Sequence, residues 1–211
     1  MAPTNPTTSP APDASGIPGT PGVPASGSVE GRRAAAAEAV RTFLVDVPDF
    51  PQPGVVFKDV TPLLADPAAF GTVVAALADV GRGPDGAPVV DKVVGMEARG
   101  FLFGTPVAQA LGVGFVPVRK PGKLPRATHE VDYDLEYGST SLALHVDALA
   151  PGDRVLVVDD VLATGGTAAA TRTLVERCGA HVVGVALLLE LTFLPGRAAV
   201  DGVPVTALLQ V

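Results

Sequence analysis

The chain has 211 residues, 47% hydrophobic and 18% charged, with a formal net charge of −7, which suits one α/β domain with a substantial core. The acidic balance argues against nucleic-acid binding, which calls for a basic stripe, and no apolar run reaches membrane-spanning length, the clearest one, Val182 to Leu189, being broken by Gly184 and stopped at Glu190. A single cysteine, Cys178, excludes an internal disulfide, and an N-terminus without a basic segment or an apolar stretch carries no secretory signal, so a cytoplasmic protein is expected.

Met1 to Ser28 is rich in Pro, Thr, Ser, Gly and Ala and is expected to be a disordered leader (residues 1–28) before a single domain over residues 29–211. Val29 to Val45, with alanines and spaced Val40, Phe43 and Leu44, predicts a helix. From Val47 to Pro62 the prolines exclude a regular helix and predict a stiff loop, in which Phe57 suits a core role and a ligand-stacking role equally. Asp66 as N-cap and Pro67 at N1 open a helix to Val80, and a Gly/Pro turn follows from Gly81 to Pro88. Val89 to Gly95 predicts a strand, Met96 to Gly104 its exit into a helix ending at Leu111, and Gly114 to Val118 the next strand. The Pro-Gly pairs and mixed charge from Pro121 to about Asp132 predict a long mobile hairpin.

Ser139 to His145 alternates as a strand. Val155 to Val158 is an uninterrupted apolar run, as in a strand of a parallel sheet covered on both faces, and Asp159 and Asp160 are expected to close it. Thr164 to Thr167 then makes a tight loop and Ala168 to Arg177 a helix ending near Gly179. His181 to Glu190 is another strand, Phe193 to Arg197 a turn, and Val203 to Leu209 the last strand.

Strand, acidic pair, glycine loop and helix, in that order, carry chemistry. Glycines let the backbone approach a ligand, and the free N–H groups opening a helix favour an anion such as phosphate. Thr164 and Thr167 add hydroxyl donors. Carboxylates repel phosphate but accept hydrogen bonds from a diol, so a ribose 5-phosphate satisfies both halves, its 2′ and 3′ hydroxyls on Asp159 and Asp160 and its phosphate in the loop. The plainer alternative is an ordinary βα turn. Glu97 and Arg99 stand at the carboxyl end of a predicted parallel strand, where open α/β sheets bind ligands, unless they are a surface ion pair. Arg119, Lys120, Lys123 and Arg126 fall within eight positions and suggest a local anion site. Neither a Walker A sequence nor Gly-x-Gly-x-x-Gly after a strand is present, and His129, His145 and His181 lack metal-ligand companions.

The stretch Asp159 to Thr167 resembles the motif by which type I phosphoribosyltransferases bind 5-phosphoribosyl 1-pyrophosphate (PRPP). Val56-Phe57-Lys58 is similar to the base-recognition segment of the adenine phosphoribosyltransferases, Met96 to Gly104 to their pyrophosphate loop, and Leu135-Glu136-Tyr137-Gly138 to their catalytic segment. The resemblance spans roughly residues 40 to 211. It implies the type I phosphoribosyltransferase fold, a parallel sheet flanked by helices with a flexible hood. The implied reaction is displacement of pyrophosphate from PRPP by adenine to give AMP. The implied catalytic residues are Glu136, which handles a proton on adenine, with Arg99 and Lys120. PRPP or AMP falls to Asp159, Asp160, Ala163, Thr164, Gly165, Gly166, Thr167, Arg119, Lys123 and Tyr137. Adenine falls to Val56, Phe57, Lys58 and Val161. Mg²⁺ is implied as cofactor, brought by PRPP and not held by protein ligands, and a homodimer is implied.

Val161 stands where family members often carry Leu, and Lys58 where some carry Arg; both keep the chemical type. Two other readings stay open. One is transfer to a 6-oxopurine, which would change the base segment; the other is a non-catalytic PRPP or nucleotide sensor, which would need a DNA-binding module that the sequence does not suggest.

Overall fold

The computed structural model describes residues 27–135 and 138–211, so residues 1–26 of the expected leader, together with Glu136 and Tyr137, lie outside the described residues. In chain order the elements are α1 (Val29–Phe43), β1 (Val45–Pro48), β2 (Val56–Asp59), α2 (Thr61–Ala65), α3 (Pro67–Asp79), β3 (Lys92–Met96), α4 (Arg99–Leu111), β4 (Gly114–Val118), β5 (Thr128–Leu135), β6 (Gly138–His145), β7 (Arg154–Leu162), α5 (Gly166–Arg177), β8 (His181–Glu190), α6 (Gly196–Ala199) and β9 (Val205–Gln210). Five of the strands form one sheet in the order β4-β3-β7-β8-β9, and every neighbouring pair in it is parallel.

Alternation along the central strands divides the core into two layers. Leu156 and Val158 of β7, with Ala186 and Leu188 of β8, join a cluster completed by α1, α3 and α4, including Val40, Leu77 and Phe103. Val155 and Val157, with Val185 and Leu187, face the opposite cluster, to which α5 contributes Leu174 and Val175. Successive side chains of a strand leave opposite faces, and both faces here are covered, which is why these strands read as continuous apolar runs. Asp66 caps α3 as expected, its carboxylate accepting from the Ala68 and Ala69 N–H groups at 3.0 and 2.8 Å. Cys178 is buried in the α5 layer, as expected of a small core residue.

Besides the short helices α2 and α6, which were not expected, three departures bear on the site. The segment read as a stiff loop holds an antiparallel hairpin, with Val45 to Pro48 paired to Val56 to Asp59. Its prolines do not prevent this, because Pro48 ends the strand while Pro51 and Pro53 fall in the connection. Secondly, β7 does not stop at the acidic pair. Pairing to β8 continues through Asp159↔Leu187 and Val161↔Leu189 to Leu162↔Glu190, so both aspartates are held in extended, hydrogen-bonded backbone. Thirdly, the expected mobile hairpin is partly packed. Thr128 to Asp132 belong to β5, which pairs antiparallel with β6, and Val131, Leu142 and Leu144 are buried in the α5-side cluster. The hood therefore stands on an apolar base joined to the main domain.

Candidate active site

The chain winds outward from β3 to β4, returns through the hood, and then continues from β7 to β8 and β9 on the other side of β3. The winding thus reverses between β3 and β7, and a crevice opens at the carboxyl ends of these two strands, the place where open α/β sheets bind ligands. A cavity of about 490 Å³ fills it. Val56, Phe57 and Lys58 of β2 line one wall, Glu97, Ala98 and Arg99 the mouth of α4, and Asp159, Asp160 and Val161 the end of β7; Lys120, Tyr133, Ala163 and Thr167 are among the other lining residues. A smaller cavity of about 70 Å³ adjoins it, formed by Asp159 and the loop Ala163 to Thr167.

That loop opens α5. Gly165 is the N-cap residue in the left-handed region (φ 83°), and no side chain caps the helix, so its first-turn N–H groups stay open toward the small cavity. The backbone shape is enforced by close packing. A Cβ on Gly165 would overlap the carbonyl oxygen of Gly196 and lie 2.6 Å from Ala199 Cβ; a Cβ on Gly196 would overlap the carbonyl oxygen of Ala163. Thr167 Oγ1 lies 3.1 Å from the Tyr133 hydroxyl, linking hood and loop.

Acid and base alternate across the large cavity. Asp160, 5% exposed, accepts from Arg99 Nε. The Arg99 guanidinium also covers the Phe57 ring, its Cζ 5.0 Å from the centroid, and Phe50 packs edge-on against Phe57 with centroids 5.1 Å apart. Asp159 Oδ1 accepts from the Asp160 N–H at 2.9 Å. Burial, and then the neighbouring Asp160 charge, push the Asp159 carboxyl well above its ordinary value. Lys58 Nζ is engaged with Asp46 at 2.7 and 2.9 Å, so this residue offers the cavity its backbone and stem more than its charge.

Of the expected site residues, Val56, Phe57, Lys58, Arg99, Lys120, Asp159, Asp160, Val161, Ala163 and Thr167 meet at the large cavity, and Thr164, Gly165 and Gly166 line the small one. Arg119 and Lys123 line neither. Both turn to Glu97, Arg119 Nε at 3.2 Å and Lys123 Nζ at 3.7 Å, and the Lys120 N–H donates to the same carboxylate at 3.2 Å. Burial acts to raise Glu97, but these donors outweigh it and leave the carboxyl below its ordinary value. Glu97 therefore anchors the cationic segment and does not pair with Arg99 as adjacency suggested. It belongs to the site, and its only signal in the sequence was its place at a strand end. Tyr133 was missed; nothing in its local pattern distinguishes it from an ordinary strand residue. Glu136 and Tyr137, expected at the site, lie outside the described residues.

Residues 64–196 match the phosphoribosyl transferase domain family. The chain is 70% identical over 168 residues to the adenine phosphoribosyltransferase of a Nocardioides species, covering 80% of this chain and 91% of that one. Among solved structures it is similar to the adenine phosphoribosyltransferase of Saccharomyces cerevisiae complexed with an imino-altritol bisphosphate and adenine, with a TM-score of 0.79, 40% identity, and coverage of 83% of this chain and 99% of that one. It is also similar to the Trypanosoma brucei enzyme in complex with AMP, pyrophosphate and ribose-5-phosphate, with a TM-score of 0.76, 27% identity, and coverage of 83% and 79%.

Proposed function

This chain belongs to the adenine phosphoribosyltransferases, and we infer on that premise that its cavity transfers the 5-phosphoribosyl group of PRPP to adenine, yielding AMP and pyrophosphate in purine salvage. The observation that carries the reading is one continuous crevice with a carboxylate pair on β7, an uncapped helix start one loop away and an aromatic face opposite. The resident-residue roles follow from chemistry. Asp159 and Asp160 accept the ribose diol, the amides from Ala163 to Thr167 hold the 5′-phosphate, and Phe57 stacks on adenine with Val161 across from it. Arg99 and Lys120 meet the diphosphate, whose departure leaves a multiply charged anion.

In the reaction the bond from C1 of the ribose to pyrophosphate oxygen breaks, and a bond from adenine N9 to C1 forms with inversion. The proton on the imidazole ring of adenine passes to a carboxylate, for which Glu136 is proposed. Positioning and charge stabilisation supply the catalysis, since the sugar carbon acquires oxocarbenium character. Magnesium is proposed to enter on the diphosphate of PRPP and to neutralise its charge. The donor set fits this: Asp160 is engaged by Arg99 and Glu97 by Arg119. The hood, packed at Val131 and Leu142 and linked to Thr167 by Tyr133, closes over the sugar carbon and excludes water. Arg119 and Lys123 belong to the diphosphate once they exchange Glu97 for it. A homodimer in the cytoplasm, with residues 29–211 as the working domain, completes the reading; no helix among the described residues is long and apolar enough to cross a membrane.

The test is a competition assay with PRPP, Mg²⁺ and equal adenine, hypoxanthine, guanine and xanthine. AMP is expected as the dominant product in a single turnover. Preferred conversion of a 6-oxopurine, or binding of PRPP without any transfer, would overturn the assignment.

A further inference from the structure

We propose that Arg197 is a positioning residue for PRPP, acting through α6 and the phosphate loop, an inference that rests on the function assigned above. Glu190, the last residue of β8, is 6% exposed. Its carboxylate takes both Nε and Nη2 of Arg197, the second at 2.7 Å, and accepts from Gln210 Nε2 at 2.8 Å, while Arg197 Nη1 donates to the Val205 carbonyl at 3.1 Å. This bracket draws α6, a helix of four residues, onto the ends of β8 and β9. None of these side chains lines the cavity assigned to PRPP.

What the bracket holds in place is the back of the phosphate loop. Gly196 precedes Arg197 and touches the loop so closely that a Cβ there would overlap the Ala163 carbonyl oxygen and lie 2.8 Å from Leu162 Cγ. On the other side of the contact, Gly165 has no room for a Cβ against Gly196 and Ala199. Glu190 is also the register partner of Leu162, the residue that leads into the loop, and the Leu191 N–H donates to the Leu162 carbonyl at 2.9 Å. A bidentate, charge-assisted pair on a buried carboxylate is a rigid fastening, although the Arg197 side chain itself is half-exposed. Four short residues without side-chain capping have little hold of their own. The loop amides thus keep the geometry of a phosphate cradle because Arg197 fixes the surface against which they lean, and a displacement of about 1 Å is enough to weaken binding strongly.

The pair can be removed without stranding a buried charge. The double variant Glu190→Gln/Arg197→Met is expected to melt cooperatively close to the wild-type temperature. Its Kd for ribose 5-phosphate and KM for PRPP are expected to rise about tenfold, with the adenine KM and the kcat at saturation within about twofold. Arg197→Lys is expected to fall between the two. Gly196→Ala leaves the ion pair intact and pushes directly on Ala163, and the same selective loss is expected from it. Unchanged ribose 5-phosphate affinity in folded Gly196→Ala or in the double variant would overturn the proposal. So would a fall of kcat with a rise of both the adenine KM and the PRPP KM in step with lost thermal stability. Wild-type protein that bound no ribose 5-phosphate would instead overturn the functional assignment on which the proposal stands.

Discussion

Gly165→Ala is expected to lower kcat/KM for PRPP by about 10²-fold or more while leaving the sheet folded. Two costs coincide at this position. The backbone has φ 83°, a conformation that costs an L side chain roughly 1–2 kcal/mol. The new methyl would also overlap the Gly196 carbonyl and crowd Ala199. The overlap cannot be relieved by moving α6, which is fastened through Arg197 to the buried Glu190, so the loop and its amides must move. Gly152→Ala separates the two costs: its φ is 87° but nothing lies within 4 Å of the added Cβ, and it is remote from both cavities. That variant is expected to lose a similar amount of stability and to keep wild-type kinetics. Equal kinetic losses in both variants would show that backbone strain alone, and not displacement of the cradle, explains the effect.

Asp159→Asn is expected to move stability and affinity in opposite directions. The folded protein holds the Asp159 proton more tightly than the unfolded chain does, because burial and the Asp160 charge disfavour the carboxylate. From the ordinary carboxylate value, about 3.9, up to the raised folded value, folding therefore takes up a proton, and the Asp159 contribution to stability fades as pH rises through that window. Above the ordinary carboxylate value, keeping this carboxyl in its buried place beside Asp160 therefore opposes folding. Replacing it with a neutral amide is expected to raise the melting temperature of the ligand-free protein by roughly 2–4 °C for each kcal/mol relieved. The same change removes one charge-assisted partner of the ribose diol, of order 1.5–3 kcal/mol, so the PRPP KM should rise about 10- to 100-fold. Melting curves and initial rates at pH 7 check both signs. A lower melting temperature with an unchanged PRPP KM would contradict the placement of this carboxylate at the sugar.

How far the site was legible in the sequence depends on range. The run Val155 to Val158 and the strands Gly114 to Val118 and His181 to Glu190 follow from local apolar patterning, and the structure places the last two at those residues. Phosphate loop, acidic pair and Phe57 segment were readable as local motifs, and each lines one of the two cavities. Partners remote in sequence were not readable. Arg99 reaches Asp160 across 61 residues, and Glu97 passes over its neighbour Arg99 to engage Arg119. Choice of partner is set there by the parallel register of β3 beside β4 and β7, which no local pattern encodes. The hood was misjudged for a related reason. Its Pro-Gly pairs signal a loop, but the strand that follows is packed by Leu142 and Leu144 from a segment ten residues further on or more. The β1–β2 hairpin hid behind prolines that sit at the end of β1 and in the connection to β2.

Every role proposed for this pocket depends on one orientation of ribose 5-phosphate between β7 and α5, with the base over Phe57. A crystal structure with AMP bound measures that orientation directly. The phosphate is predicted against the amides of Ala163 to Thr167, with the sugar hydroxyls on Asp159 and Asp160 and the adenine ring on the Phe57 face vacated by the Arg99 guanidinium. An AMP whose phosphate lay instead among Lys120, Arg119 and Lys123, with the aspartates unliganded, would contradict it.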